Sequence, residues 1–328
     1  MTLMLPLGVF VLALVAGMAL TGWLVPRLVS ARVLDLPNAR SLHAAPVPRG
    51  GGLAIALVVL FTQVALLGSG IWSGQSALVL TLVAAAFAAL GWADDRASRS
   101  VALRFGLQAL LSALFVALAL PATLSIGAQT VLWLAVMWGV NLFNFMDGAD
   151  GFAAVQTVAA GLGLAVLFSV TGQGGSALAC CALAGAAAGF LRWNWHPARI
   201  FLGDVGSYFI GFELAALMCL SSDGARVPWP ALILVAPFVS DASWTLLARV
   251  LRGVPVWRAH REHLYQRLVL HGWSPARLGV VLGAMLVLLC WPAAALAMAY
   301  GVTPALFVYG LLAIIWLWVR RALPLPRR

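Results

Sequence analysis

The run Val131-Leu-Trp-Leu-Ala-Val-Met-Trp-Gly-Val-Asn141-Leu-Phe-Asn144-Phe-Met-Asp147-Gly-Ala-Asp150-Gly151 decides how this chain must be read. Its first ten residues carry no charge and suit a bilayer. Its last eleven contain two Asn, two Asp and two Gly. An ionised carboxylate at the centre of a membrane costs about 2.5–3.5 kcal/mol even on a lenient scale. Asp147 and Asp150 are two of only ten carboxylates among 328 residues. Acids kept where an apolar segment ends read as holding a metal, a proton or a cationic group.

Composition agrees. The chain is 63% hydrophobic and 9% charged, with a mean hydropathy of +1.01, which excludes an ordinary soluble domain. Several apolar runs approach the roughly 20 residues that cross a bilayer as helix. Period-two alternation is absent, which argues against a β-barrel. The fold class expected is an all-α polytopic membrane protein, with residues 1–328 forming one membrane domain. The opening lacks a basic region, so the first apolar stretch reads as a retained span rather than a cleaved signal. Cys180, Cys181, Cys219 and Cys290 lie in apolar stretches without zinc-site spacing and read as core residues.

Eleven spans are expected, at about 4–26, 51–70, 76–93, 104–120, 129–145, 152–171, 174–191, 205–221, 229–249, 277–299 and 303–320. The net charge of +10 comes from Arg alone. With these spans, 19 of the 20 Arg fall in or beside loops on one side, and only Arg226 falls on the other. The positive-inside rule then puts the N-terminus outside and the C-terminus in the cytoplasm. Arg scattered among such loops does not indicate nucleic acid.

Asp35, Asp94, Asp95, Asp147, Asp150, Asp204 and Glu262 fall on the Arg-rich side. Adjacent Asp94 and Asp95 repel each other unless a cation or water shields them. They read as metal ligands or a general base, or else as a helix end paired with Arg96 or Arg99. Arg104 and Gln108 lie one turn apart and can share a face. Gly203-Asp204-Val-Gly-Ser207 joins glycines, an acid and a hydroxyl at a helix start, where free N–H groups favour phosphate. An Asp there suggests an intervening Mg²⁺. His260-Arg261-Glu-His263 suits a pyrophosphate or a basic stretch on anionic lipid. Arg49-Gly-Gly-Gly52 reads either as a phosphate cradle or as an Arg anchor with close helix packing. Asp150 can cap the sixth span, and Asp241 can pair with an Arg.

Five elements occur in a particular order: Asp35-Leu-Pro-Asn-Ala-Arg-Ser-Leu-His43 with Pro46, Pro48 and the Gly run; Asp94-Asp95; Asn141-x-x-Asn144-x-x-Asp147-Gly-x-Asp150-Gly; Pro197-Ala-Arg-Ile-Phe-Leu-Gly-Asp204-x-Gly-Ser207; and His260-Arg-x-His263-x-Tyr-Gln. In this the chain resembles the polyprenyl-phosphate N-acetylhexosamine-1-phosphate transferases, glycosyltransferase family four. The His-Arg-x-His form is most similar to the O-antigen-initiating branch. Ser98 stands where the family's third acid of Asp-Asp-x-x-Asp would be. No Lys lies at the mouth, where Arg49 could substitute.

The resemblance implies transfer of an N-acetylhexosamine 1-phosphate from a UDP-N-acetylhexosamine to undecaprenyl phosphate. UMP leaves, and the product starts O-antigen or another cell-surface glycan. It implies Mg²⁺ held by Asp204 with Asn144, and catalytic roles for Asp94, Asp95, Asp147 and Asp150. Asn141, Asn144, Arg49, Arg104, His260, Arg261 and His263 would bind substrate. The implied location is the bacterial inner membrane, with the site facing the cytoplasm; membrane lipid is a partner and a homodimer is allowed. A secondary transporter is the alternative, and would place acids near the midplane in two related halves.

Overall fold

The computed structural model describes residues 4–37, 45–97, 99–221, 228–255 and 260–324. His43, Ser98, Asp223 and Arg226 lie outside the described residues, as do Arg40, Arg258, Arg327 and Arg328. The order of elements is α1 (Met4–Ser30), β1 (Leu34–Asp35), β2 (Val47–Pro48), α2 (Gly52–Gly68), α3 (Gln75–Arg96), α4 (Val101–Ala119), α5 (Ile126–Met146), α6 (Phe152–Val170), α7 (Gly174–Asn194) and α8 (Gly203–Leu220). There follow α9 (Trp229–Leu234), α10 (Ala236–Val250), α11 (Leu264–Leu270), α12 (Pro275–Met285), a π-turn (Leu286–Cys290), α13 (Trp291–Tyr300) and α14 (Thr303–Ala322).

Among the described residues, nine helices are long and apolar enough to cross a membrane, with α12 through α13 counted as one helix of 26 residues. The second expected span is the shorter α2, of 17 residues. The ninth is not one helix but two. Val235 leaves helical geometry (φ −113°, ψ 7°), and Pro237 opens α10. Proline lacks the N–H that would bond back one turn and crowds the carbonyl there, so the chain breaks just before it. Pro292 is accommodated differently, by the π-turn that precedes it.

Helices α7 and α8 form the centre, each with 83% of its apolar window buried, against 17% for α1. Small residues let their backbones approach their neighbours. A Cβ built on Gly189 would lie 2.2 Å from the Leu14 carbonyl oxygen, and one on Gly185 would lie 2.3 Å from that of Phe10. Helix α8 is gripped from both flanks. A Cβ on Gly91 of α3 would meet the Asp204 oxygen at 2.3 Å, and one on Gly211 would meet the Gly139 oxygen of α5 at 2.9 Å. Phe87 stacks on Phe212 at 4.7 Å. These contacts bring the acid-bearing ends of α3, α5 and α8 to one place. The four cysteines are free and buried, as expected of core residues.

The Gly run after Arg49 is packing, not a phosphate cradle. Gly51 N–H donates to the Phe201 oxygen at 2.9 Å, and Gly52 N–H donates to that of Leu202 at 2.8 Å. A Cβ on Gly52 would lie 2.1 Å from the Gly206 Cα. Those N–H groups are therefore spent on joining α2 to the start of α8. The joint continues into the β1–β2 hairpin, where Phe201 N–H donates to the Pro48 oxygen at 2.8 Å.

Gly91→Ala should push α3 off α8 and destabilise the protein by about 1–3 kcal/mol. Thermal unfolding in detergent reads this, and an unchanged midpoint would show that α3 and α8 have room to spare.

Candidate active site at the ends of α3, α5 and α8

Asp94 and Asp95 are adjacent, but helical geometry turns them about 100° apart, and each has its own partners. Asp94 accepts hydrogen bonds from Arg99 N–H at 2.7 Å, Arg104 Nη1 at 2.8 Å and the Tyr208 hydroxyl at 3.3 Å. Asp95 accepts from the backbone N–H groups of Asp204 and Val205, both at 3.0 Å. Arg49 Nε lies 3.8 Å from Asp95, and Arg49 Nη2 donates to the Asp95 carbonyl at 2.6 Å. Each carboxylate thus has its own set of protein donors. Among the described residues, neither carboxylate pairs with the Arg96 or Arg99 side chain. Two N–H groups at the start of α8, those of Asp204 and Val205, are not free for phosphate, because Asp95 takes them.

Asp204 lies beside this pair. Its Oδ1 accepts from Asn144 Nδ2 at 2.7 Å, and its Oδ2 is 3.9 Å from Arg104 Nη1. Asn144 Nδ2 also donates to Ser207 Oγ at 3.0 Å. An amide nitrogen cannot ligate a metal, so Asn144 as placed orients Asp204, leaving its own oxygen for any ion. Asn141 donates to Gln108 Oε1 at 3.0 Å. Arg104 and Gln108 share a face, as their spacing predicts.

Helix α5 stops at Met146, and Gly151 adopts φ 73° before α6 begins. Asp147 sits in that turn. Burial drives its carboxyl well above the usual range, reinforced by the charges of Asp204, Asp95 and Asp35. Among the described residues no hydrogen bond reaches it. Asp150 does not cap α6. Its Oδ2 pairs with His196 Nδ1 at 2.7 Å and accepts from Ala198 N–H at 3.1 Å. Asn194 accepts instead from Gly151 N–H at 3.0 Å.

The His-containing segment docks onto the same turn. The Tyr265 hydroxyl donates to the Phe145 carbonyl at 3.0 Å, and a Cβ on Gly148 would lie 2.2 Å from that hydroxyl. Asp241, expected to pair with an Arg, binds N–H groups of the first residues of α11: Leu264 at 2.7 Å and Tyr265 at 3.2 Å. Glu262 is clamped by Arg249 and Arg252. Burial opposes its charge, but the two guanidiniums hold its carboxyl below the usual range. His263 stacks on Phe145 at 6.2 Å and is buried, with Nδ1 3.7 Å from Asp241 Oδ1 and without a hydrogen bond among the described residues. His260 lies 4.9 Å from it, ring to ring. Burial, then the His263 and Arg249 charges, push His260 down to about 4. This environment holds the His260 imidazole neutral at neutral pH. Arg261 makes no hydrogen bond or ion pair among the described residues.

The structure therefore gathers Asp94, Arg104, Asn144, Asp147 and Asp204, with His263 one residue beyond Asn144 through Phe145. Arg49 and Asp95 stand behind them. The sequence reading missed Tyr208, His196 and Asn194. Tyr208 is four residues from Asp204 on one helix, so the same-face rule could have found it. His196 and Asn194 carried no such signal. Among the described residues no cluster of three or more His, Cys, Asp or Glu forms a metal cage. Mg²⁺ does not need one, because it binds through one or two carboxylates and completes its shell with water and phosphate. Asp147, near Asp204 and lacking a protein donor, fits such an ion.

Residues 77–222 match glycosyl transferase family 4. The "Probable undecaprenyl-phosphate N-acetylglucosaminyl 1-phosphate transferase" of Bacillus subtilis is 30% identical over 74% of this chain and 71% of its own length. The decaprenyl-phosphate N-acetylglucosaminephosphotransferase of Mycolicibacterium smegmatis is 30% identical over 83% of this chain and 75% of its own. A Synechococcus phospho-N-acetylmuramoyl-pentapeptide-transferase is 32% identical over 75% and 79%. The chain belongs to glycosyl transferase family 4. The transporter alternative is not favoured.

Two outcomes are expected. Asp147→Asn should raise the thermal midpoint at neutral pH, because the unfolded carboxyl is ionised there while burial and its neighbours oppose ionisation in the fold, and it should lower turnover. A midpoint that falls would show that the carboxylate is stabilised in place. For His260, an unfolded imidazole protonates near 6.5, whereas the folded one stays neutral to about 4. Stability from this group is complete above pH 6.5 and is lost as pH falls towards 4. His260→Gln should flatten the decline of the thermal midpoint across that window.

Proposed function

We propose that this chain transfers an N-acetylhexosamine 1-phosphate from a UDP-sugar to undecaprenyl phosphate. A phosphate oxygen of the lipid attacks the β-phosphorus of the donor. The bond from that phosphorus to the α–β bridging oxygen breaks, and UMP leaves with the electron pair. The product is undecaprenyl-diphospho-sugar. The observation that carries this reading is the convergence of Asp94, Arg104, Asn144, Asp147 and Asp204 at helix ends beside a buried His segment. Phosphoryl transfer needs alignment and charge neutralisation more than covalent help.

The residues divide the work. Arg104, held by Asp94 and Tyr208, offers its remaining N–H groups to a diphosphate. The lipid phosphate is already ionised at neutral pH, so no general base is required of Asp94. Asp95 acts at one remove, by setting the start of α8 and with it Asp204. Asp204 and Asp147 would hold Mg²⁺, with Asn144 orienting Asp204. The ion, when bound, neutralises the diphosphate and stabilises departing UMP. Asp150, aligned by His196, and Asn141 are assigned to the nucleotide-sugar, and His263 to its diphosphate side. Arg49 acts through Asp95 rather than on substrate.

The segregation of Arg supports a site facing the cytoplasm in a bacterial inner membrane. The O-antigen branch rests on the His-Arg-x-His form alone.

Purified protein with Mg²⁺, undecaprenyl phosphate and a panel of UDP-N-acetylhexosamines should release UMP with at least one donor. Silence across the panel from folded protein would overturn the assignment. Asp204→Asn should lower kcat by about 10²-fold or more, with an unchanged thermal midpoint or a higher one. Near-normal turnover would remove Asp204 from the reaction. His263→Ala should raise KM for the donor.

A further inference from the structure

A second concavity, of about 570 Å³, opens between the C-terminal end of α1, the start of α2 and the end of α3. Neither Asp94, Asp147 nor Asp204 lines it. Four guanidiniums do: Arg27, Arg32, Arg49 and Arg96. The single carboxylate in its wall is Asp95. That side chain is 1% exposed, and its oxygens already accept the Asp204 and Val205 N–H groups. It cannot neutralise four cations.

Each Arg has donors left over. Arg27 stacks on Trp23 at 3.6 Å and gives Nη1 to the Trp23 carbonyl. Arg49 gives Nη2 to the Asp95 carbonyl, and its Nε lies 3.8 Å from Asp95 Oδ1 without a hydrogen bond among the described residues. Arg32 and Arg96 are exposed, with no ion pair among the described residues. Arg32 sits at φ 56°, the left-handed region that non-glycine residues seldom adopt. Four guanidiniums that share one carboxylate around one cavity repel, and a phosphate relieves this while accepting their paired N–H groups.

The remaining walls are apolar, formed by Leu24, Leu28, Leu34 and Leu53. Beside them, on the last turns of α1, Trp23 is 51% exposed and Val29 is 49% exposed. A cationic pocket that runs into a greasy, open helix face suits an anionic amphiphile better than a free ion. We propose that this pocket binds an anionic phospholipid of the adjoining leaflet, with its phosphate among Arg27, Arg32, Arg49 and Arg96 and its acyl chains along α1. Through Arg49 the headgroup would touch the Asp95 joint that seats α8. The inference does not depend on which sugar donor the enzyme uses.

The test is thermal unfolding of the full chain in nanodiscs of phosphatidylcholine, with or without phosphatidylglycerol. Phosphatidylglycerol should raise the midpoint. Arg32→Gln/Arg96→Gln should lose most of that rise while matching wild type in pure phosphatidylcholine. Arg277→Gln/Arg321→Gln, a control pair on exposed Arg elsewhere, should keep it. If the first pair destabilises the fold, native mass spectrometry of each single variant decides instead. Each should retain phosphatidylglycerol about five-fold less well, corresponding to ~1 kcal/mol per Arg. Equal losses in both pairs would mean diffuse surface charge and overturn the proposal. So would the same rise from inorganic phosphate alone, which would make this a soluble-anion site. Stoichiometric displacement by undecaprenyl phosphate would also overturn it, by making the pocket the acceptor's seat.

Discussion

One buried carboxylate, that of Asp95, ties the site together. It lies on the last turn of α3 and receives the N–H groups of Asp204 and Val205 in the first turn of α8. Those groups carry the positive end of the helix dipole and have no intrahelical partner. A charged acceptor in a water-poor place therefore holds them strongly. The approach is close enough to require glycine on both sides. Gly203 sits at φ 75°, where a Cβ would lie 2.6 Å from Asp95 Oδ2, and Gly91 leaves no room for any side chain against Asp204. Asp204 points where it does because Asp95 and these glycines seat the helix that carries it.

The same device is used again on the other flank. Asp241 of α10 receives the Leu264 and Tyr265 N–H groups and so orients the short helix that follows His263. Tyr265 then locks that helix to the turn after α5. Two buried acids, each spent on a helix start, thus fix the Asp204 side and the His263 side of one mouth. The acids left between them are less well matched. Asp147 has no donor of its own and feels Asp204, Asp95 and Asp35.

Hydropathy made most of the helices legible, because a bilayer demands long apolar runs with internally satisfied backbones. It misjudged the segment around Pro237, where composition stays apolar but the backbone cannot continue. The site was legible as a set of residues, since scarce acids at the ends of greasy runs stand out. Their individual duties were less legible. Asp94 and Asp95 look interchangeable in sequence, yet one holds Arg104 and the other holds α8. Asp150 and Asp241 read as a local cap and an Arg partner, yet their partners are 46 and 23 residues away.

By itself, the sequence determined that this is a helical membrane protein and which family's motifs it carries. These follow from transfer free energies and motif order, which are properties of short segments. Only the tertiary structure decided which acid caps a helix, which binds an Arg and which is left without a donor. It also decided that the glycines after Arg49 are spent on helix contact rather than on phosphate. Those outcomes depend on which backbone N–H groups and guanidiniums arrive from elsewhere in the chain, and segments far apart in sequence meet only after the bundle has packed.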